Sequence, residues 1–212
     1  MLDHIAADVE PLFDEARFTE VLGDTVGVLE RTGVPFLILG GIASSVHGRD
    51  RWTHDIDFFV KREDALRALD GLGGAGYRTE KTFWDWLYKA WHPSDAHIDV
   101  DIIFRSSGGI RMDDEMLARA VPADFRGVDL RVIPAEDLLV MKAVAHDEHM
   151  PRHWHDALGL VSRCGLDWDY VLRRARQAGA RRVLSLLIYA QSNDLIVPNR
   201  VIEELFDAIY RS

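Results

Sequence analysis

The segment from Phe36 to Val60, FLILGGIASSVHGRDRWTHDIDFFV, constrains the fold of this chain more than any other. Its first residues form a short run of bulky apolar side chains, which predicts a buried strand. Gly40 and Gly41 then end that strand, because glycine lets the backbone approach a ligand closely without a steric cost. A short helix of small residues and a polar turn follow, before a second strand that begins at Asp55. The segment therefore predicts a strand, a glycine turn, a helix and a second strand.

Two carboxylates share one face of the second predicted strand. Residues two apart on a strand point the same way, so Asp55 and Asp57 project together. Neighbouring carboxylates repel each other unless a cation lies between them, and hard divalent ions such as Mg²⁺ prefer oxygen ligands. The pair is interpreted as a metal site, and the structural alternative is two solvated acids at a strand end.

Six residues of this segment resemble the signature of the DNA polymerase beta-like nucleotidyltransferase superfamily: Gly40, Gly41, Arg51, Thr53, Asp55 and Asp57. The resemblance implies an α+β fold, with a mixed sheet flanked by helices and followed by a C-terminal helical bundle. It implies a transferase that uses two Mg²⁺ ions and an NTP as co-substrate. Gly40, Gly41, Ser44 and Arg51 would lie beside the nucleotide, where the Arg51 guanidinium suits a phosphate group.

The superfamily also needs a third carboxylate on a later strand, and the stretch from His97 to Phe104 offers two. Asp99 and Asp101 face the same way, because they too are two residues apart. An acid followed by apolar residues, as after Asp101, is typical of the superfamily and favours Asp101 as the third metal ligand. Asp99 stays open as an alternative ligand or as a group behind the ligands.

Two further positions rest on the resemblance. The stretch from Asp137 to Lys142 is similar to the part of AbiE-type toxin nucleotidyltransferases that carries a functional lysine, and those proteins have an aspartate about one helix later, where this chain has Asp156. Lys142 would then contact the triphosphate, which suits its compact charge. Asp156 would lie near the acceptor or act as a base. The structural alternatives are a surface lysine and a helix-surface acid.

The remaining sequence predicts a first half of strands and helices and a second half of helices alone. Strands are predicted at 77–81, 83–91, 96–104 and 128–133, and helices at 8–31, 62–72, 117–120, 135–148, 153–163, 167–178, 181–192 and 199–210. The boundary is placed near Ile133, which gives a catalytic domain over 1–133 and a helical domain over 134–212. Within the strand 83–91, Trp84, Trp86 and Tyr88 would share one face, either as packed sheet or as a surface that stacks on a base or a cyclic substrate.

Net charge and cysteine content restrict the partners and the cellular compartment that we expect for this protein. A net charge of −10 argues against general affinity for nucleic acid, since that affinity rests on neutralising phosphates. The single cysteine, Cys164, cannot form an internal disulfide, and no apolar run reaches a membrane span. We therefore expect a cytoplasmic protein without a membrane partner. The densest basic cluster is interpreted as a solvated helix face, with RNA or nucleotide contact as the alternative: Arg173, Arg174, Arg176, Arg181 and Arg182.

Histidines between 146 and 155 invite a metal-dependent phosphohydrolase as a rival interpretation. His146, His149, His153 and His155 do not have the spacing of a zinc-binding helix, and Pro151 separates them into two groups. Ordinary polar residues at helix ends explain them better.

The leading functional prediction is an Mg²⁺-dependent transfer of a nucleoside monophosphate from an NTP to an acceptor. RNA or protein acceptors fit the toxin-like segment around Lys142 and Asp156, and this option includes an antitoxin partner. An acidic cleft would instead attract a small cationic acceptor such as an aminoglycoside, and lincosamides belong to the same small-molecule class. A catalytically silent protein that binds nucleotide or a partner is the second class. The sequence leaves the acceptor open.

Overall fold

A computed structural model describes residues 14–49, 53–147, 149 and 151–211. Their strands are β1 Phe36–Ile38, β2 Asp55–Val60, β3 Arg78–Lys81, β4 Leu87–His92, β5 Asp95–Ile103, β6 Val121–Phe125 and β7 Val128–Val132. Their α-helices are α1 Glu15–Thr32, α2 Gly40–Val46, α3 Ala65–Gly74, α4 Asp114–Ala118, α5 Ala135–Ala145, α6 Arg152–Arg163, α7 Trp168–Ala178, α8 Ala180–Ser192 and α9 Asn199–Tyr210. The predicted α+β fold, with a mixed sheet, flanking helices and C-terminal helices, is confirmed.

The strands form one mixed sheet in the order β3-β4-β5-β2-β1-β7-β6. Strands β2 and β5 run parallel, and their register places Asp55 opposite Asp99 and Asp57 opposite Asp101. The apolar residues that alternate with these acids are fully buried, so the acids project from the other face of the same two strands. The third predicted acid therefore comes from the strand that neighbours β2.

Helix α5 joins the sheet to the C-terminal helices. Most of its residues are buried, because it packs against α2, α6, α7 and α8. A helix that is apolar on all sides is stable only when it is surrounded, which explains the run of apolar residues from Leu138 to Met141. One hydrophobic core includes residues from both sides of position 133, and the domain boundary there stays a prediction. Among the described helices, none is both long and apolar enough to cross a bilayer.

The predicted strand 83–91 is wrong at its start. Strand β4 begins at Leu87, and the residues before it form a turn that contains Trp84 and Trp86. The turn forms because the Thr82 hydroxyl donates to the Leu87 carbonyl, 2.6 Å away, and closes the chain on itself. Trp84, Trp86 and Tyr88 therefore do not form one stripe on a strand. Strands β4 and β5 are joined by a turn at Pro93 and Ser94.

Other elements also differ from the predictions. Helix α3 continues to Gly74, whereas the sequence predicted that it ends at position 72. Within this helix, Gly71 packs closely against α1, because a Cβ at Gly71 would overlap the Thr32 side chain. Strand β6 was not predicted. It pairs with β7 through a two-residue turn in which Arg126 and Gly127 both have positive φ, 56° and 86°, and arginine is not a usual residue for such a turn. The part of the predicted helix 8–31 before Asp14 lies outside the described residues.

A buried polar network ties α7 to α5 and to the start of α4. The Tyr170 hydroxyl donates to Asp137 Oδ2 at 2.7 Å, and Arg174 Nε lies 2.8 Å from Asp137 Oδ1. Arg174 also forms a two-pronged ion pair with Asp113. Burial raises the pKa of Asp137 to about 6, against the opposing effects of Tyr170 and Arg174. Arg174 thus lies inside the protein, contrary to its interpretation as part of a solvated basic face.

Replacement of Arg174 by methionine should lower the free energy of unfolding by about 3–5 kcal/mol, because it leaves the buried Asp137 carboxylate without its cation. Arg173→Met is the matched control: Arg173 is exposed and pairs with Glu115 on the surface, so its loss should cost less than about 1 kcal/mol. Urea unfolding of both variants measures the difference. Equal losses would contradict a structural role for the network.

Candidate functional site

A cavity of about 370 Å³ lies beside the glycine turn and the two parallel strands, with α5 and the start of α6 on its other sides. Several of the predicted residues line it together: Gly40, Gly41, Asp55, Asp57, Asp101 and Lys142. Trp86, Arg152 and His153 line it as well, and the sequence analysis assigned none of the three to the catalytic site. One cavity thus contains glycines, carboxylates and a lysine from four separate parts of the chain.

The glycine turn fits tightly against the second strand. Gly40 has φ of +63°, which disfavours other residues, and a Cβ there would overlap Asp57 Oδ2. A Cβ at Gly41 would lie 2.6 Å from the Cβ of Thr53. The Leu39 amide donates to the Asp57 carbonyl at 2.9 Å, which fixes the turn to the strand. The close approach of Asp57 therefore requires glycine at position 40, and that of Thr53 requires glycine at position 41.

The carboxylates at this place are unequally buried. Asp55 is exposed, whereas Asp57 and Asp101 are half-buried neighbours on adjacent strands. Burial raises the pKa of Asp101 above its ordinary value, Lys89 opposes the rise, and the nearby charges of Asp99 and Asp55 add to it. Other acids therefore lie near Asp101, whose ionisation burial already disfavours.

Asp99 and Asp101 occupy different surroundings. Asp99 accepts hydrogen bonds from Trp91 Nε1 at 2.6 Å and from Lys89 Nζ at 2.9 Å, and it is not among the residues that line the cavity. Asp101 lines the cavity, with Lys89 Nζ 3.0 Å from its Oδ1. The geometry favours Asp101 over Asp99 as the third ligand. Lys89 was missed from the sequence, because only the pairing of β4 with β5 places it opposite Asp101.

Lys142 and Asp156 are joined behind the cavity. Lys142 Nζ lies 2.9 Å from Asp156 Oδ2, and Asp156 is completely buried. Arg49, at the end of the α2 region, pairs with the other oxygen of Asp156. Asp156 is not among the residues that line the cavity, and its role near the acceptor or as a base stays a prediction. It pairs with Lys142, which lies at the cavity wall, through a buried ion pair.

Ser44 and Arg51 are the two other predicted nucleotide contacts, and the structure describes only Ser44. Ser44 is buried, and its hydroxyl donates to the Gly40 carbonyl at 2.8 Å within α2, so it supports the glycine turn from behind. Arg51 lies outside the described residues.

The histidines form no zinc site in the described part of the chain, and the His146 ring stacks on Trp154 with 4.6 Å between centroids.

Mg²⁺ prefers carboxylate oxygens as its ligands in proteins. At this site, one buried carboxylate oxygen lacks a hydrogen-bond partner. Asp101 Oδ1 is buried and accepts no hydrogen bond of good geometry, although Lys89 lies nearby. In the described ranges, no three His, Cys, Asp or Glu side chains already stand close enough to hold a metal ion. The residues fit a divalent ion by donor chemistry and register, and the carboxylates would have to turn towards one another to bind it.

Comparison with known proteins gives the class of the chain. The profile of a family described as uncharacterised nucleotidyltransferases matches residues 14–192. The chain therefore belongs to this nucleotidyltransferase family, and it is an enzyme of that class. A search of the curated proteins found no match.

Solved structures support the fold. The antibiotic-resistance factor ANT(2'')-Ia is similar at 16% identity and a TM-score of 0.52, over 86% of this chain and 95% of that one. An antigenic nucleotidyltransferase-like protein from Paracoccidioides brasiliensis is similar at 11% identity and a TM-score of 0.54, over 94% and 99% of the two chains. The nucleotidyltransferase toxin MenT4 from Mycobacterium tuberculosis matches at 15% identity and a TM-score of 0.46, over 86% of this chain and 68% of that one. At their low identities, the first two structures show a shared fold and no shared acceptor.

Gly40→Ala should reduce the rate of pyrophosphate release from NTP about 100-fold, because the new methyl group forces Asp57 out of place. Gly74→Ala is the control, since a Cβ at that helical position meets nothing within 4 Å. Initial rates of the two variants, with circular dichroism to confirm folding, measure the effect. Similar rates for both would show that the close approach of Gly40 to Asp57 has no catalytic role.

Proposed function

We propose that the protein is an Mg²⁺-dependent nucleotidyltransferase that moves a nucleoside monophosphate from an NTP to an acceptor, which is RNA, protein or a small molecule. The observation that carries this proposal is the shared cavity of the glycine turn, Asp55, Asp57, Asp101 and Lys142. These features come from four elements, α2, β2, β5 and α5, and a structural role alone would not require acids and glycines to meet. An antitoxin partner and a cytoplasmic location stay predictions from the sequence.

Asp55, Asp57 and Asp101 would hold the metal ions. When bound, two such ions would align the triphosphate and offset the negative charge that grows during the transfer. The chain's own residues contribute position and charge. Gly40 and Gly41 line the cavity, where their backbone would meet phosphate oxygens, and Lys142 supplies a fixed positive charge at the cavity wall.

The buried ion pair explains how Lys142 keeps its position. A lysine side chain has several rotatable bonds, and ordering it costs conformational entropy. Asp156 fixes the ammonium group at 2.9 Å, and Arg49 balances the second oxygen of that carboxylate. We therefore assign Lys142 to the triphosphate, and Asp156 to the positioning of Lys142.

The bond changes of the proposed reaction are simple. An acceptor oxygen bonds to the α-phosphorus while the bond from that phosphorus to the bridging oxygen breaks, and pyrophosphate leaves. When the acceptor group is a hydroxyl, we assign its proton to the Asp101 carboxylate, from which it passes to solvent. Little covalent help from the protein is needed, because alignment and charge stabilisation dominate such transfers.

Asp57→Asn should slow transfer of label from α-labelled NTPs at least about 100-fold, because it removes a negative charge that would help to hold the metal ions. The control is Asp129→Asn, an exposed acid on β7 that does not line this cavity. Each NTP is incubated with Mg²⁺ and either total RNA or a panel of aminoglycosides, and chelation by EDTA should stop the reaction. Transfer that survives in Asp57→Asn, or that ignores EDTA, would overturn the proposal.

A further inference from the structure

The turn before β4 exposes three aromatic side chains beside the catalytic cavity. Phe83 is fully exposed, and the exposed fractions of Trp84 and Trp86 are 56% and 38%. The indole rings of Trp84 and Trp86 lie 6.3 Å apart and are tilted by 34°. Large apolar groups that cluster on a surface, rather than occurring singly, mark binding sites more often than they occur without a role.

The turn is held in place by hydrogen bonds to both of its flanks. The Trp86 carbonyl accepts from the Phe104 amide at 2.9 Å, which fixes it to the end of β5. The Thr82 hydroxyl donates to the carbonyl of Leu87 at 2.6 Å. The aromatic rings therefore project from an anchored turn, and a ligand that stacks on them would not have to order the turn first.

A second cavity, of about 360 Å³, adjoins the catalytic one. The two share Trp86, Ile103, Ser106 and Ser107 in their walls, and the second adds Arg105 and Gly109. Among the described residues in its wall there is a guanidinium group and no carboxylate. Arg105 has a weak partner in Asp85 of the turn, at 3.9 Å. This wall favours a neutral or anionic ligand over a polycation.

The strand order arranges the parts of the site in sequence across the sheet. The glycine turn follows β1, Asp55 and Asp57 lie on β2, Asp101 lies on β5, and Trp86 precedes β4, and these strands are neighbours in that order. If the triphosphate lies at the glycine turn, the acceptor approaches from the opposite end. Trp86 and the second cavity lie at that end.

We propose that Trp86, with Trp84 beside it, forms the acceptor subsite and takes a nucleotide, whose base stacks on the indole and whose phosphate meets Arg105. This inference rests on the proposed nucleotidyl transfer and names its acceptor class. A hydroxyl of that nucleotide would form the new bond to the α-phosphorus, with pyrophosphate as the leaving group. The acceptor is either a free nucleotide or the terminal residue of a single-stranded RNA, because both present the same base and phosphate.

The test compares Trp86→Ala, Trp86→Phe and the control Phe206→Ala, which removes an exposed aromatic from α9. Label transfer from the NTP is measured with three acceptors: AMP, a single-stranded RNA tetranucleotide and an aminoglycoside. Trp86→Ala should raise the KM for AMP or the tetranucleotide at least about fivefold. The KM for NTP should stay within about twofold, Trp86→Phe should restore most of the affinity, and Phe206→Ala should change nothing. Whether AMP or RNA is labelled identifies the source of the nucleotide.

Binding without turnover separates this inference from the proposed function. The affinity of a fluorescein-labelled RNA tetranucleotide, or its displacement by AMP, is measured by anisotropy without NTP, and Trp86→Ala should weaken it by the same factor. Weakened binding without any NTP turnover would support the subsite and refute the transferase proposal. Transfer to the aminoglycoside alone, a rise in the KM for NTP instead, or unchanged binding in Trp86→Ala would overturn the subsite.

Discussion

Electrostatic repulsion among carboxylates that the fold brings together is the constraint on which this site depends. The parallel pairing of β2 and β5 places Asp57 directly beside Asp101, and Asp55 lies near enough to raise the pKa of Asp101. Such an arrangement lowers stability unless positive charge is supplied. Lys89 supplies part of it from β4. The remainder of the site, from the glycine turn to Lys142, surrounds the carboxylates in a way that leaves space for further cations and for phosphate.

Buried ion pairs connect the helical half of the chain to these carboxylates. Asp156 on α6 holds Lys142 on α5, and Asp137 on α5 is held by Arg174 on α7. Breaking either pair would leave a buried charge uncompensated, which is costly in a low-dielectric interior. Helix α5 thus carries a cavity residue on one side and a structural acid on another. The C-terminal helices therefore do more than cover the sheet, because they fix the position of the lysine.

Local sequence patterns predicted the parts of this structure that depend on local rules. The strand, glycine turn, helix and second strand from Phe36 to Val60 follow from residue size, glycine and alternation, and five C-terminal helices follow from periodicity. Long-range pairing was harder to predict. Lys89 approaches Asp101 only through the register of β4 and β5, and Arg174 is buried only because Asp137 and Tyr170 face it. The Trp86 turn was mistaken for strand because alternating aromatic residues are also typical of strands.

An anomalous diffraction map of crystals grown with Mn²⁺ and a non-hydrolysable NTP would show directly whether the carboxylates hold metal ions beside the phosphates. We expect manganese within about 2.5 Å of oxygens of Asp57 and Asp101, with the phosphates between the glycine turn and Lys142. Manganese bound elsewhere, or Asp101 still paired with Lys89 and out of reach of the metal, would contradict this expectation.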